Sequence, residues 1–278
     1  MPMKIVIFQV DAFTRKAYSG NPAAVCVLKK PLSSKNYLAI AREMNFSETA
    51  FVIMSKEAMD SGVFELRWFT PQVEVPLCGH ATLATAWILF SEYGCRGKIR
   101  FKTLSGIHEA ELVSDSVRLN FPQDKPIPVP IPKGLKEVLG YSENMKTFYG
   151  QKTAKLLVEF EQASIIRELK PDFKRLLSLK TNYEIRGLIA TARGNDGYDI
   201  VSRYFAPWVG IDEDPVTGLA HTVLGPFWME RLGKKKMQAY QASERGGELL
   251  LEITGGDRVY ITGNAVTILK GTLLNDFA

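Results

Sequence analysis

The stretch Arg67–Trp87, RWFTPQVEVPLCGHATLATAW, has a counterpart further along the chain in Arg203–Trp228, RYFAPWVGIDEDPVTGLAHTVLGPFW. Each opens with an arginine, two aromatic residues, a small residue and a proline. Each then passes through a polar approach and a glycine-containing turn into an apolar run. Arginine, two aromatics and a proline can recur by chance, but the shared downstream order of strand, turn and helix points to an internal duplication. Two similar halves then present two similar turns, Cys78-Gly79-His80 and Thr217-Gly218-Leu219.

The run Leu83–Phe90 is apolar on nearly every side, the signature of a helix buried all round. A helix buried in each half implies a sheet wrapped about it and open only at the ends. The first backbone N–H groups of such a helix have no intrahelical partner, and the helix dipole adds partial positive charge there. Two facing N-termini of this kind would form a clamp for a carboxylate or another anion. Gly79 and Gly218 would let the backbone approach such a ligand closely. Turn glycines usually do no more than permit a tight turn, so it is the repetition that gives these two a binding reading.

Around these turns the pattern reads as strands at Lys4–Val10, Ala23–Leu28, Thr49–Met54, Phe64–Phe69, Lys98–Leu104, His108–Leu112 and Ser116–Phe121, with helices at Ser34–Met44 and His80–Tyr93. Proline takes nearly every second place in the middle of Phe121–Gly134, FPQDKPIPVPIPKG. It removes backbone donors, so this segment reads as a stiff extended connector and a domain boundary. Beyond it come strands at Lys155–Glu159, Gly187–Ala192 and Asp199–Phe205, then a helix at Leu219–Leu232 that Pro226 is expected to kink. Strand-like runs at Glu248–Ile253, Arg258–Thr262 and Ala265–Leu269 close the chain as an antiparallel meander. The expected division is a first domain over residues 1–122 and a second over 130–264, with 265–278 packing back on the first.

Composition narrows the function classes. The 278 residues are 46% hydrophobic and 23% charged, which suits a globular protein with a sizeable core. Three cysteines, none in a CxxC pair, give neither a disulfide framework nor zinc-site spacing. The net charge of +5 is spread along the chain, its densest clusters at Arg96–Lys102 and Lys234–Lys236, without the aromatic interleaving of a nucleic-acid binder. A mild attraction for small anions remains. The N-terminal apolar run is broken by Asp11 and reads as an opening strand, and the longest uncharged stretch, Val75–Ser91, is too short to span a bilayer. The expectation is a cytoplasmic protein that engages neither membrane nor nucleic acid. No GxGxxG or P-loop marks a nucleotide site, so no cofactor and no metal are expected.

Candidate chemistry gathers near the turns. Asp214, just before the second turn, could cap it, or could hold a substrate amine or a histidine. His80 and His221 each follow a turn glycine, and this similar placing favours a functional reading over a structural one. His108, in SGIHEAEL, reads as a surface strand residue. Glu48, in NFSETAF, leaves a helix and enters a strand flanked by Phe46 and Phe51, an apolar setting that suits proton transfer.

Four motifs, GNPAAV (Gly20–Val25), NFSETAF (Asn45–Phe51), RWFTPQVEVPLCGHAT and GIDEDPVTGLAH, together resemble the PhzF (phenazine biosynthesis-like) family, in order and through both halves. The resemblance implies an α/β (α+β) fold of the diaminopimelate epimerase-like type. That fold has two pseudo-symmetric domains, each a mixed, largely antiparallel sheet around a central helix, with the active site between them. It implies a cofactor-independent isomerase that shifts a proton on a small carboxylate-bearing substrate, similar to trans-2,3-dihydro-3-hydroxyanthranilate isomerase. Glu48 would be the general acid/base, with His80 and Asp214 also catalytic. Asn21, Ser47, Cys78, Gly79, Gly218 and Leu219 would contact substrate, and a homodimer is expected.

Two positions depart from the family pattern. The usual DPVTGSAH carries a serine where this chain has Leu219, losing a hydroxyl and adding apolar bulk. Related epimerases pair two cysteines; here Cys78 is matched by Thr217 and Asp214, so Cys78 is expected to neighbour the chemistry and not to perform it. An amino-acid epimerase or racemase using Cys78 with Asp214 or Glu48, and a non-catalytic binding protein that keeps the fold, stay open as alternatives.

Overall fold

The computed structural model describes residues 4–274. The chain forms β1 (Ile5–Ala12), β2 (Asn21–Leu28), α1 (Ser34–Met44), β3 (Thr49–Ile53), α2 (Lys56–Ser61), β4 (Val63–Phe69), β5 (Glu74–Val75), α3 (Gly79–Ser91), β6 (Lys98–Thr103), β7 (Gly106–Val113) and β8 (Ser116–Pro122). It continues with β9 (Ile127–Pro128), α4 (Leu135–Leu139), β10 (Lys146–Gly150), β11 (Lys155–Glu159), α5 (Ala163–Glu168), α6 (Phe173–Leu176), β12 (Gly187–Arg193), β13 (Ile200–Ala206) and β14 (Ile211–Glu213). The last elements are α7 (Gly218–Leu232), β15 (Lys236–Gln241), β16 (Gly247–Ile253), β17 (Arg258–Gly263) and β18 (Ala265–Leu273). Two compact units result. The first holds the described residues through Asn120 and again from Thr262, and the second holds Phe121–Ile261.

In the first unit the strands run β18–β1–β2–β3–β4–β6–β7–β8, with β2–β3 and β4–β6 parallel and the other neighbours antiparallel. The second unit repeats the scheme as β9–β10–β11–β12–β13–β15–β16, with β11–β12 and β13–β15 parallel. Each unit is therefore a mixed, mostly antiparallel sheet. The first packs α1 on one face through Tyr37, Ile40 and Ala41. Its α3 is buried along nearly its whole length, only Trp87 and Ser91 escaping, and packs against β1, β2, β3, β7 and β18. In the second unit α7 is buried in the same way from Ala220 to Trp228.

The duplication read from the sequence is visible in the register. Phe69 of β4 pairs with Glu74 of β5, and Phe205 of β13 pairs with Glu213 of β14. In both places the arginine two residues earlier clasps that glutamate with two hydrogen bonds. Arg67 donates to Glu74 at 2.7 and 2.6 Å, and Arg203 to Glu213 at 2.7 and 2.7 Å. The planar guanidinium fits a carboxylate bidentately, so each fork closes a short hairpin and aims the chain at the helix that follows.

The proline-rich segment begins where the second unit begins, and its Gln123 and Asp124 are buried and bonded into that unit. Asp124 accepts from the amides of Lys152 (3.2 Å) and Thr153 (2.9 Å) and from the Thr153 hydroxyl (2.6 Å). Pro226 sits inside α7, which runs continuously through it. The carbonyl four residues earlier, on Thr222, loses its helical donor at a proline. It takes the Asp124 N–H instead, at 3.1 Å. Proline and aspartate thus solve one problem together.

The two forks differ in burial. The Arg203 side chain is 12% exposed and also donates to the carbonyls of Leu169 (2.6 Å) and Ile166 (3.3 Å), whereas Arg67 is 33% exposed. Removing one partner of a buried pair is far costlier than removing one at the surface. Arg203→Met should lower unfolding stability by about 3 kcal/mol and Arg67→Met by about 1 kcal/mol. Urea denaturation of the two variants tests the ranking.

Candidate active site

Helix α1 delivers the first group. Ser33 caps its start by accepting the Asn36 amide, and Asn45 ends it in the left-handed conformation (φ 52°). The chain then turns sharply and leads Ser47 and Glu48 into β3. The β4–β5 hairpin delivers the second group, Cys78-Gly79-His80, to the start of α3. His80 lies between the two segments. Its Nε2 is 3.5 Å from Glu48 Oε2 and 3.5 Å from Ser47 Oγ, and its Nδ1 is 3.5 Å from Cys78 Sγ. The Glu48 side chain is 16% exposed and that of His80 only 4%. Burial pushes His80 down to about 3, so its imidazole is neutral at neutral pH.

The possible ligand atoms of Glu48, Cys78 and His80 lie within 4.8 Å of one another. The thiol and the carboxylate approach opposite ring nitrogens, however. The three side chains thus meet around one imidazole ring. Asn21, also assigned to the site, is fully buried at the start of β2, opposite Ala12. The His80 ring is hydrogen-bonded to Ser47 and Cys78, with the Glu48 carboxylate in ion-pair range of its Nε2.

In the second unit Thr217 occupies the N-cap of α7, as Cys78 does for α3. Neither side chain caps its helix, so the leading amides at Gly79 and Gly218 receive no acceptor from the cap residue. Asp214 is buried and accepts the Thr217 hydroxyl, while Gln241 accepts the Thr217 amide (2.9 Å) and donates to the Asp214 carbonyl (2.7 Å). The turn is thereby fixed from three sides. Leu219 is half-buried at the second residue of α7.

The structure corrects the reading of the histidines. His80 is the second residue of its helix and His221 the fourth, so at roughly 100° per residue they point in different directions. The residue matching His80 is Leu219, and the match for His221 is Thr82. Thr82 and His221 do the same work, each bonding the carbonyl of its own N-cap residue, Cys78 and Thr217 respectively. His221 thus secures the first turn of its own helix. His108, expected at the surface, is 6% exposed, while Ile107 beside it is exposed. The strand alternates with the histidine inward, where its Nε2 meets Ser105 Oγ at 2.8 Å. Ser105 in turn donates to the Pro76 carbonyl at 2.7 Å, which steadies the approach to the Cys78 turn.

The matched registers also reveal a residue that the sequence reading passed over. Thr49 pairs with Phe69 as Leu188 pairs with Phe205, so Glu48 in the first unit corresponds to Gly187 in the second. A Cβ on Gly187 would lie 2.0 Å from the Tyr204 hydroxyl, which fills that place. The buried Lys155 donates to this hydroxyl at 3.1 Å. Burial pushes the lysine down to about 8, against the opposing pull of the Asp214 and Asp124 carboxylates. Where one unit holds a carboxylate, the other holds a lysine–tyrosine pair.

His80 and His221, depressed to about 3 and about 4 by burial, bind protons less readily folded than unfolded. Their neutral burial is therefore fully tolerated above the unfolded value near 6.5, and stability is lost as pH falls from there toward 4. Each should contribute about 2 kcal/mol of lost stability between pH 7 and pH 5. His221→Thr, which can keep the bond to the Thr217 carbonyl, should show a smaller drop in urea denaturation at the two pH values.

Comparison with known proteins agrees with this architecture. The family described as phenazine biosynthesis-like protein matches residues 10–271. A Pseudomonas aeruginosa protein named an uncharacterized isomerase is 46% identical over 272 residues, covering 98% of this chain and 99% of its own. The crystal structure of a PhzF family protein from Enterococcus faecalis superposes with a TM-score of 0.90 at 38% identity, covering 98% of this chain and 100% of that one. The same diaminopimelate epimerase-like fold extends to a hydroxyproline epimerase of Agrobacterium vitis, with a TM-score of 0.61 at 12% identity over 99% of this chain and 94% of that one. With two mixed sheets, two buried helices and family motifs along its length, the chain belongs to the PhzF, or phenazine biosynthesis-like, family.

Proposed function

We propose that the protein is an isomerase that shifts a proton on a small carboxylate-bearing molecule, with Glu48 as general acid/base. The observation that carries this reading is the convergence of Glu48 and a neutral, buried His80 at the start of α3, where two segments of the first unit meet. The name of the Pseudomonas aeruginosa relative supports the reaction class. Glu48 takes a proton from a carbon next to a carbonyl or an unsaturated bond. The electron pair left behind is delocalised over that system, and the proton returns to another carbon of the same molecule. Backbone amides at the start of α3, at Gly79, hold the carboxylate and the charge that develops, since helix N-termini favour anions. His80 orients the substrate, with Asn21 and Ser47 as further contacts. The transfer needs no group beyond these side chains and amides.

A racemase with two thiols is not available to this chain, because the partner position of Cys78 is Thr217 and its hydroxyl is already given to Asp214. Leu219 presents a hydrocarbon surface where family members usually carry a hydroxyl, so the preferred substrate should carry an apolar group there.

In deuterated water the wild-type protein should exchange a carbon-bound hydrogen of its substrate, found by screening small unsaturated carboxylic acids by mass spectrometry. Glu48→Gln should reduce that exchange by about 1,000-fold, the order expected for loss of a general base, while keeping the folded circular dichroism spectrum. Full turnover in this variant would refute the assignment. Leu219→Ser should leave the rate of proton transfer intact and move selectivity toward hydroxylated acids, read as a ratio of kcat/KM values.

A further inference from the structure

We propose that Cys78 is a positioning residue that fixes the tautomer of His80 and, through it, the hydrogen bonding of Glu48. The inference rests on the reading of Glu48 as the base and adds what keeps that base ready. Its ground is the order of contacts along one imidazole ring: Cys78 Sγ at 3.5 Å from Nδ1, then Glu48 Oε2 and Ser47 Oγ each at 3.5 Å from Nε2.

A neutral imidazole carries one N–H, and the partner of each nitrogen decides which one carries it. An ionised carboxylate can only accept, so Glu48 requires the proton on Nε2. Nδ1 is then an acceptor, and the group facing it is the Cys78 thiol, which can donate. The order is directional: S–H to Nδ1, then Nε2–H turned to the Ser47 hydroxyl and the nearby Glu48 carboxylate. The opposite tautomer would set the Nε2 lone pair against a carboxylate and direct Nδ1–H at a sulfur, which is a weak acceptor. Burial of both Cys78 and His80 keeps water from substituting for either partner.

The placement of Cys78 supports this role over a nucleophilic one. It is 4% exposed, and its backbone carbonyl accepts both the Thr82 amide and the Thr82 hydroxyl, which fixes the residue from the helix side. In the second unit the corresponding Thr217 hydroxyl donates to Asp214 without an intervening ring. Both N-cap side chains thus serve a neighbouring acidic group, one directly and one through His80.

The test is nitrogen-15 NMR of protein labelled in its histidines, with His80→Asn used to assign the His80 ring signals. Two-bond proton–nitrogen spectra distinguish the two neutral tautomers and the imidazolium. The wild-type protein and Cys78→Ser, which keeps a donor, should show His80 as the Nε2–H form at pH 7. Cys78→Ala should show a substantial population of the Nδ1–H form. Alongside this, kcat for solvent-deuterium exchange should fall about 10-fold in Cys78→Ala, recover in Cys78→Ser, and leave KM within twofold. A wild-type His80 in the Nδ1–H form, an unchanged tautomer in Cys78→Ala, or an altered tautomer with unchanged kcat would each overturn the proposal. The tautomer is read without substrate, whereas retained exchange in Glu48→Gln would refute the base assignment itself, so the two failures are told apart.

Discussion

A helix with no polar face has only its ends to offer. In α3 and in α7 as far as Trp228 nearly all side chains are buried, so each helix must be surrounded by sheet and loops over that length. The unpaired amides at its start are then the polar groups it can present to a ligand. This constraint places the chemistry before any catalytic side chain is considered. The Arg67–Glu74 and Arg203–Glu213 forks serve it by closing the hairpins that lead into those starts. Glu48 belongs to it as well, because α1 packs on the outer face of the same sheet and releases the chain where β3 begins.

The two units share a frame and divide the functional groups. Equivalent positions carry Glu48 and Gly187, Cys78 and Thr217, His80 and Leu219, Thr82 and His221. The framework pairs among these preserve a bond, as Thr82 and His221 both do toward an N-cap carbonyl. The others change chemical type altogether. The space that Glu48 has in one unit is taken by the Tyr204 hydroxyl and Lys155 in the other. Duplication accounts for the architecture, and divergence at a few registered positions accounts for the different groups that the two units carry on it.

Much of this was legible in the sequence because it rests on local pattern. The apolar run of α3, the Ser34–Met44 helix and the glycine turns each follow from short-range composition. The repeat made the second helix readable from the first. Strands β10, KTFYG, and β15, KMQAYQ, escaped because they are short and each turns a polar residue inward, Thr147 in the first and Gln241 in the second. The forks escaped because the arginine and glutamate stand seven residues apart in one unit and ten in the other, a difference taken up by the longer loop before β14. His221 was misjudged for a similar reason: nearness to a glycine in sequence is not equivalence on a helix. Lys155 looked like any strand-opening lysine, since burial beside Tyr204 arises only from tertiary pairing.

The pairing of β18 with β1 couples the two ends of the described chain. The second unit is continuous in sequence, whereas the first is interrupted by it and takes in the residues from Thr262 onward. During synthesis, therefore, β1 waits with one edge unpaired while some 250 further residues are made, a separation that raises the cost of closure. An unpaired apolar edge is open to wrong partners in the meantime. The unit that carries Glu48 and His80 therefore closes only after the whole of the second unit has been made.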